Sequence, residues 1–487
     1  MKTWLLLPTA LTTFALTQTH ALANEPTTFA PTLQTNDSWF KEGQSVLSAA
    51  MQTAPINTPA RNIILFVGDG MSVGTMTAAR IYAGQQAGDS GEEFRLEMEA
   101  LPHVAMSKTY NTDMQTPDSA GTATAMVTGV KTKAGTLGVN DNVQRGFCST
   151  IKGNEAKTIF QIAAEKGKAL GVVSTARLTH ATPAATYAYS ADRNWENNTT
   201  LTNISVEQGC RDIAQQFVDY DYGFGGFQVA LGGGLREFTL VSDGGKRTDH
   251  DLTTLWQQRY PDGAFVSDHA ALMDIDVSET ERLFGLFGLS HMDYELDRDD
   301  SQPSLAQMTE TAISMLAKND DGYMLMIESG RIDHAHHAGN AKRALEDTLA
   351  FDAAIAKALA MTDPNETLII VTADHAHTLV MNGYAPRGND ILGLAMNADG
   401  PVKADDGKAY TTLTYGNGPG AISGERAEPT AEAVVGDDYL QQALIPLSSE
   451  THSQEDVAIL ATGPKAWLFQ GVVEQNYIFH VMNEAFK

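Results

Sequence analysis

Two short windows hold five of the chain's 13 histidines: Asp333-His334-Ala335-His336-His337 and Asp374-His375-Ala376-His377. Asp333 and His337 are four apart, so on a helix they share one face. A carboxylate beside an imidazole is a partial site for a borderline divalent metal such as zinc. Asp374-His375 offers a second such pair. One D-x-x-x-H spacing says little alone. Asp69, Glu328 and His452 strengthen it, because each stands beside a short apolar run. Together these groups predict a multi-metal site. His336 and His377 read either as groups that orient ligands or as surface histidines. His103, His250, His269, His291 and His480 belong to no motif.

Ser119 is the candidate nucleophile, in Pro117-Asp118-Ser119-Ala120-Gly121-Thr122-Ala123-Thr124-Ala125. The small residues after it suit a helix, which puts Ser119 at a helix N-terminus. Backbone N–H groups and the helix dipole favour an anion there. The plainer reading is an N-cap serine. Metal binding tips the balance, since a cation can ionise a hydroxyl that is otherwise a poor nucleophile.

These residues need a frame. Ile63–Val67 is a continuous apolar run ending in Gly68-Asp69-Gly70, and its length and β-branching suit a fully buried strand. Similar runs recur at Leu170–Val173, Tyr323–Ile327, Leu368–Val371 and Val457–Leu460, with helical segments such as Thr158–Lys166 and Ala341–Leu359 between some of them. Alternation of this kind predicts an α/β fold: a central, mostly parallel sheet flanked by helices on both faces. Such sheets place function just past strand C-termini, where Asp69, Glu328, Asp374 and His375 fall. Asp37 or Ser38 could cap a further helix from Trp39 to about Gln52. Residues 384–430 are rich in Gly, Asn, Asp and Pro, and read as a surface insertion.

Composition narrows the function. The chain has 487 residues, 43% of them hydrophobic, which excludes disorder as a whole-chain description. With 33 basic and 60 acidic residues the net charge is −27. That repels nucleic acid and anionic membranes, so a general polyanion binder is excluded. Lys2, the mostly apolar run Trp4–Leu16 and the small-x-small Ala21-Leu22-Ala23 read as a signal peptide cut after Ala23. A membrane anchor is the alternative, but the run is short for a span. The mature protein should then be periplasmic or secreted, without a transmembrane segment. In an oxidising compartment Cys148 and Cys210 can pair; two separate buried thiols are the other reading.

The strings Gly68-Asp69-Gly70-Met71, Pro117 to Ala125, His180-Ala181-Thr182-Pro183-Ala184, Arg193-Asn194-Trp195, Glu328 to His334, Thr372-Ala373-Asp374-His375 and Glu450-Thr451-His452 together resemble the alkaline phosphatase family. The resemblance runs from about Trp39 to the C-terminus. It is nearer the animal-type branch than the best-known enterobacterial form. Tyr415-Gly416-Asn417-Gly418-Pro419-Gly420 is similar to that branch's crown insertion, as is segment 384–430. It implies a division into signal peptide 1–23, catalytic α/β domain 24–383 with 431–487, and crown-like insertion 384–430. The cysteine positions resemble a disulfide pair of the animal enzymes, which supports Cys148–Cys210.

The resemblance implies an exported phosphomonoesterase with two Zn²⁺ and one Mg²⁺ per subunit, acting through a phosphoserine at Ser119. Asp333, His337 and His452 would hold one zinc. Asp69, Asp374 and His375 would hold the other. Asp69, Thr182 and Glu328 would hold magnesium. His180 and His334 stand where the enterobacterial form has an acid and a lysine, which loosens the magnesium shell around His180 and puts a lysine contact with phosphate in doubt. Arg193 would clamp the phosphoryl oxygens, with Asp118 and His334 beside the substrate. Three divalent cations would outweigh the local carboxylates and give a cationic pocket inside an acidic shell. A homodimer is implied, through the Trp39–Gln52 helix and the crown. Animal enzymes also carry a calcium site. Here Gly288 follows Phe287 and Gln302 precedes Pro303 where acids would be needed, so that site is expected to be absent.

The same superfamily contains phosphodiesterases, sulfatases and phosphoglycerate mutases, so fold alone does not choose. Ser119, Arg193 and the pair Thr182 and Glu328 favour monoesters. A secreted phosphate- or zinc-binding protein is the non-enzymatic alternative, and the retained nucleophile argues against it.

Overall fold

In the strand Asn62–Gly68 (β1), alternate side chains enter two different cores. Ile63, Leu65 and Val67 join one, Ile64 and Phe66 the other, and all five are fully buried. Tyr323–Ser329 (β7) and Thr367–Ala373 (β8) divide in the same way. A strand with apolar side chains on both faces needs helices on both faces. On one side lie Ser119–Thr128, Ile159–Glu165, Ile213–Asp219, Leu252–Arg259 and Tyr477–Ala485. On the other lie Val73–Gln86, Leu305–Leu316 and Ala341–Met361.

The computed structural model describes residues 36–221 and 225–487. The remaining strands of the large sheet are His103–Lys108 (β2), Ala169–Arg177 (β3), Val229–Gly233 (β4), Gly263–Val266 (β5), Arg282–Leu286 (β6), Val457–Thr462 and Val472–Glu474. The order across this 10-stranded sheet is Val472–Glu474, β2, Val457–Thr462, β8, β1, β7, β3, β4, β6, β5. Every pairing is parallel except the two made by Val457–Thr462, which runs antiparallel to β2 and β8. The C-terminal ends of β1, β7 and β8 therefore share one edge. The antiparallel strand brings its N-terminal approach, and so His452, to that same edge. All five apolar runs read as strands from sequence are strands of this sheet.

A smaller three-stranded sheet joins Leu379–Met381, Leu413–Gly418 and Ala443–Pro446. Two of its strands lie outside segment 384–430, which contributes the third and a short hairpin, Met396–Asn397 with Gly400–Pro401. Cys148 and Cys210 form a disulfide with Cα atoms 5.7 Å apart.

Residues up to Ala54 form a unit separate from Pro55–Lys487. Its described part holds the helix Ser38–Ala50. Of the two proposed caps Asp37 is the one used: it accepts from Phe40 N–H at 2.9 Å, and the helix ends before Gln52. The leader 1–23 lies outside the described residues. Among those residues no helix is long and apolar enough to cross a membrane.

Candidate active site

Asp69 leaves β1 into a turn that only glycine permits. Gly70 has φ +74°, and a Cβ there would meet His377 Cδ2 at 2.5 Å. The Gly70 N–H donates to Asp374 Oδ1 at 3.0 Å, so the turn after β1 is tied to the end of β8. The helix Arg331–His337 follows β7 directly and turns Asp333 and His337 to one side, with Asp333 Oδ1 3.4 Å from His337 Nε2. His452 lies in a two-residue strand paired with Ala376–His377.

Three groups of ligand atoms converge. The first is Asp333, His337, His377 and His452; the second is Asp69, Asp374 and His375; the third is Asp69, His180 and Glu328. In the first, His337 Nδ1–H donates to Glu450 O at 2.5 Å and His452 Nδ1–H to Pro117 O at 2.8 Å. A carbonyl only accepts, so the neutral rings turn their Nε2 lone pairs inward. In the second, His375 Nε2 lies 3.4 Å from Asp69 Oδ1, 3.2 Å from Asp374 Oδ2 and 3.2 Å from Ser119 Oγ. In the third, Glu328 Oε1, both Asp69 carboxylate oxygens and Thr182 Oγ1 are buried without a hydrogen-bond partner. Buried oxygens of this kind cost free energy unless something positive joins them.

The titration pattern says the same. Burial, then Asp374, Asp333 and Glu328, push the Asp69 carboxyl well up. Burial lifts Glu328 to about 7 and also raises Asp374. Burial holds His180 and His375 well below the ordinary imidazole range and takes His334 down to about 3, so these rings stay neutral. Asp333 differs. Burial works to raise it, but His337, His377 and His452 outweigh burial and hold it well below the usual range. The donor set of carboxylates and neutral imidazoles fits borderline divalent cations.

Ser119 is the first residue of a wholly buried helix, and Asp118 is its N-cap. The plain N-cap reading of Ser119 therefore fails: Asp118 Oδ1 accepts from Gly121 N–H at 3.1 Å, leaving Ser119 Oγ for the site. The same carboxylate accepts from Asn111 Nδ2 at 2.9 Å, Gly135 N–H at 2.9 Å and Arg193 Nη1 at 3.2 Å. Burial works to raise its carboxyl, but Arg193 and these amides hold it low. Four donors thus surround Asp118, and Arg193 is one of them. Arg193 Nη2 also donates to His180 Nε2 at 3.0 Å. Trp195 is buried with Val139, Val143 and Ala191, a packing role.

All the residues singled out from sequence, Asp69, Asp118, Ser119, His180, Thr182, Arg193, Glu328, Asp333, His334, His337, Asp374, His375 and His452, lie in this one neighbourhood or are bonded into it. Sequence reading left four others open or unseen. His377 is buried and donates to Glu450 Oε2 at 2.5 Å and to Asp333 Oδ1 at 2.7 Å. Burial opposes its protonation, yet the two carboxylates raise it to about 9. Its signal was present: His375 and His377 are two apart, the spacing that returns to one side of an extended chain. Ser174 donates to Glu328 Oε2. His291 packs its ring 4.0 Å from His334 and 5.3 Å from His180. No local pattern marks Ser174 or His291. His336 is buried too, between Thr75 Oγ1 at 3.0 Å and Tyr415 Oη at 2.7 Å, which ties the helix Arg331–His337 to the small sheet.

The family profile described as alkaline phosphatase matches residues 60–487. The chain belongs to the alkaline phosphatase family. The tissue-nonspecific isozyme of alkaline phosphatase from Rattus norvegicus is 44% identical over 475 residues, which is 93% of this chain and 89% of that protein. An alkaline phosphatase from Gadus morhua is 41% identical over 463 residues, 91% of this chain and 95% of that one. The solved alkaline phosphatase of Thermus thermophilus has a TM-score of 0.65 and 26% identity, covering 90% of this chain and 94% of its own. The protein is thus an enzyme, a phosphatase built on the family's α/β fold, and its curated vertebrate relatives agree with the animal-type resemblance.

Proposed function

We propose that this alkaline phosphatase family member is an exported, metal-dependent phosphomonoesterase that works through a phosphoserine at Ser119. One observation carries the reading. Ser119 Oγ is free of capping duty, stands at the start of a buried helix and lies 3.2 Å from His375 Nε2, next in sequence to Asp118, which holds Arg193.

Asp333, His337 and His452 would hold one Zn²⁺, and Asp69, Asp374 and His375 the second. Asp69, Thr182 and Glu328, with His180 beside them, would hold Mg²⁺. When bound, the cations supply Lewis-acid charge for the serine oxygen and the leaving oxygen. Arg193 presents a planar fork to two phosphoryl oxygens, which lysine does not do in the same way. Asp118 keeps that fork in place, and neutral His334, its ring 5.5 Å from that of His180, adds no charge. The helix N-terminus adds N–H groups to the same anion. Ser119 Oγ displaces the alcohol from phosphorus, and water then displaces Ser119. Two inversions retain configuration.

Residues 1–23 are proposed to be removed on export, which N-terminal sequencing of mature protein checks. A homodimer is proposed from the resemblance, supported by the exposed Trp39, Phe40, Val46 and Leu47 on Ser38–Ala50. The loop after β6 is proposed to need no calcium. Gln302 exchanges two hydrogen bonds with Asp293, at 2.9 and 3.0 Å, and Gly288 O accepts from Gly234 and Leu235 N–H at 3.0 Å each.

The deciding experiment is an acid quench during turnover of a ³²P-labelled monoester, followed by peptide mapping. Label on the Ser119 peptide is expected. Label elsewhere, or no protein-bound label with rapid turnover, overturns the phosphoserine. A nitrophenyl monoester should be cleaved far faster than the bis-ester.

A further inference from the structure

A groove of about 500 Å³ opens beside the site, lined by Lys108, Tyr110, Asn111, Met114, Gln115 and Gln454 among others. That volume suits a small ligand group. Its walls are the segment leaving β2 and the segment between His452 and the antiparallel strand. They are joined by Thr109 Oγ1, which donates to Glu455 O at 3.4 Å.

Two contacts and one chain connection tie this groove to the chemistry. Asn111 lines it and donates to Asp118 Oδ1 at 2.9 Å. The same amide lies over the nucleophile's helix, where a Cβ on Gly121 would meet it at 2.7 Å. Gln454 lies two residues past His452, whose ring donates to Pro117 O.

Exposure gives a direction. Asp69, Asp374 and His375 are fully buried, whereas the His337 side chain is 31% exposed and that of His452 15%. A phosphoryl group seated at Ser119 can send its alcohol out past His337 and His452, or past Asp118, whose side chain is 20% exposed and is held by Asn111 of the groove. On the His452 flank that path meets the groove. β2 stands two strands from β8, which is roughly 10 Å across the sheet. An alcohol that reaches the groove must span about that distance.

The groove also offers something to bind. Tyr110 is 44% exposed and Met114 50% exposed. Lys131 Nζ lies 3.2 Å from the Tyr110 ring centroid, which holds the ring in place. A rigid aromatic face and a polarisable thioether favour a flat ring. Asn111, Gln115 and Gln454 bring amides suited to its polar edge.

We propose that this groove is a subsite for the alcohol part of the substrate, and that it selects phosphate monoesters carrying a planar ring on a spacer, as nucleoside 5′-monophosphates do. The proposal rests on the phosphomonoesterase reading and deepens it. Stacking on an aromatic side chain is a binding term common to ground and transition states, so its loss appears in KM and not in kcat.

The test compares kcat and KM for a nucleoside 5′-monophosphate and for glycerol phosphate, in wild type and in Tyr110→Ala, Tyr110→Phe and Met114→Ala. Tyr110→Ala should raise the nucleotide KM by roughly tenfold, from the loss of one stacked ring. Glycerol phosphate should change less than about twofold, and Tyr110→Phe should keep the preference. Met114→Ala reads the same ratio if Tyr110→Ala does not fold. Equal effects on both substrates, or none on either, overturn the subsite. Failure of wild type to hydrolyse glycerol phosphate at all would strike the phosphomonoesterase reading instead.

Discussion

His337 and His452 point their Nε2 atoms at each other across 3.1 Å, and each ring spends its Nδ1–H on a backbone carbonyl. Asp333 Oδ1 completes the triangle at 3.4 and 3.3 Å. Two lone pairs and a carboxylate oxygen this close repel one another unless a cation joins them. The protein uses two backbone carbonyls, from Glu450 and Pro117, to enforce that arrangement.

Removing the serine oxygen should leave this arrangement untouched. Ser119→Ala keeps the Asp118 cap, so melting temperature and metal content should match wild type while turnover falls on the order of a thousandfold or more. Turnover near the wild-type rate would remove Ser119 from the mechanism.

Asp118→Ala should behave differently. It deletes the N-cap of the buried Ser119–Thr128 helix, worth about 1 kcal/mol, and releases Arg193 from its partner at 3.2 Å. A lower melting temperature together with a raised KM is expected. A variant with normal stability and normal KM would show that Asp118 neither caps nor holds Arg193.

The Glu450–His377–Asp333 chain should tune zinc affinity. His377→Ala or Glu450→Gln frees the Asp333 carboxylate to turn, and groups in that position commonly change metal affinity by roughly 10- to 100-fold. Chelator competition on purified protein reads this directly. Affinities equal to wild type in both variants would make the chain a packing feature only.

Asp347 gives a pH-dependent test away from the ligands. Burial lifts its carboxyl from 3.8 to about 8, against the pull of Arg331. The folded value is raised, so its stability contribution is full below about pH 4 and is lost as pH rises through about 8. Asp347→Asn cannot ionise and should gain on wild type across that window, by on the order of a few kcal/mol. Melting temperatures at pH 5 and pH 9 measure it. A constant difference between the two proteins would contradict the shift.

Much of this was legible from residue order. Ile63–Val67 and Leu368–Val371 read as buried strands from their short length, β-branching and unbroken apolar run. Asp69, Glu328, Asp374 and His375 followed as groups at one sheet edge. Other parts depended on contacts between distant segments. Whether Ser119 is a cap or a candidate nucleophile turns on which side chain reaches Gly121 N–H, and it is that of Asp118. His377 finds its role only once Glu450 is brought beside it, 73 residues away in sequence. Segment 384–430 showed its turns, but the small sheet draws two strands from outside it, Leu379–Met381 and Ala443–Pro446.

Diffraction from crystals of active enzyme, recorded on both sides of the zinc absorption edge, tests the central claim most directly. Two anomalous zinc peaks are expected, one between the Nε2 atoms of His337 and His452 beside Asp333, the other among Asp69, Asp374 and His375 next to Ser119 Oγ. Fully active crystals with no metal peak in either place would contradict the account.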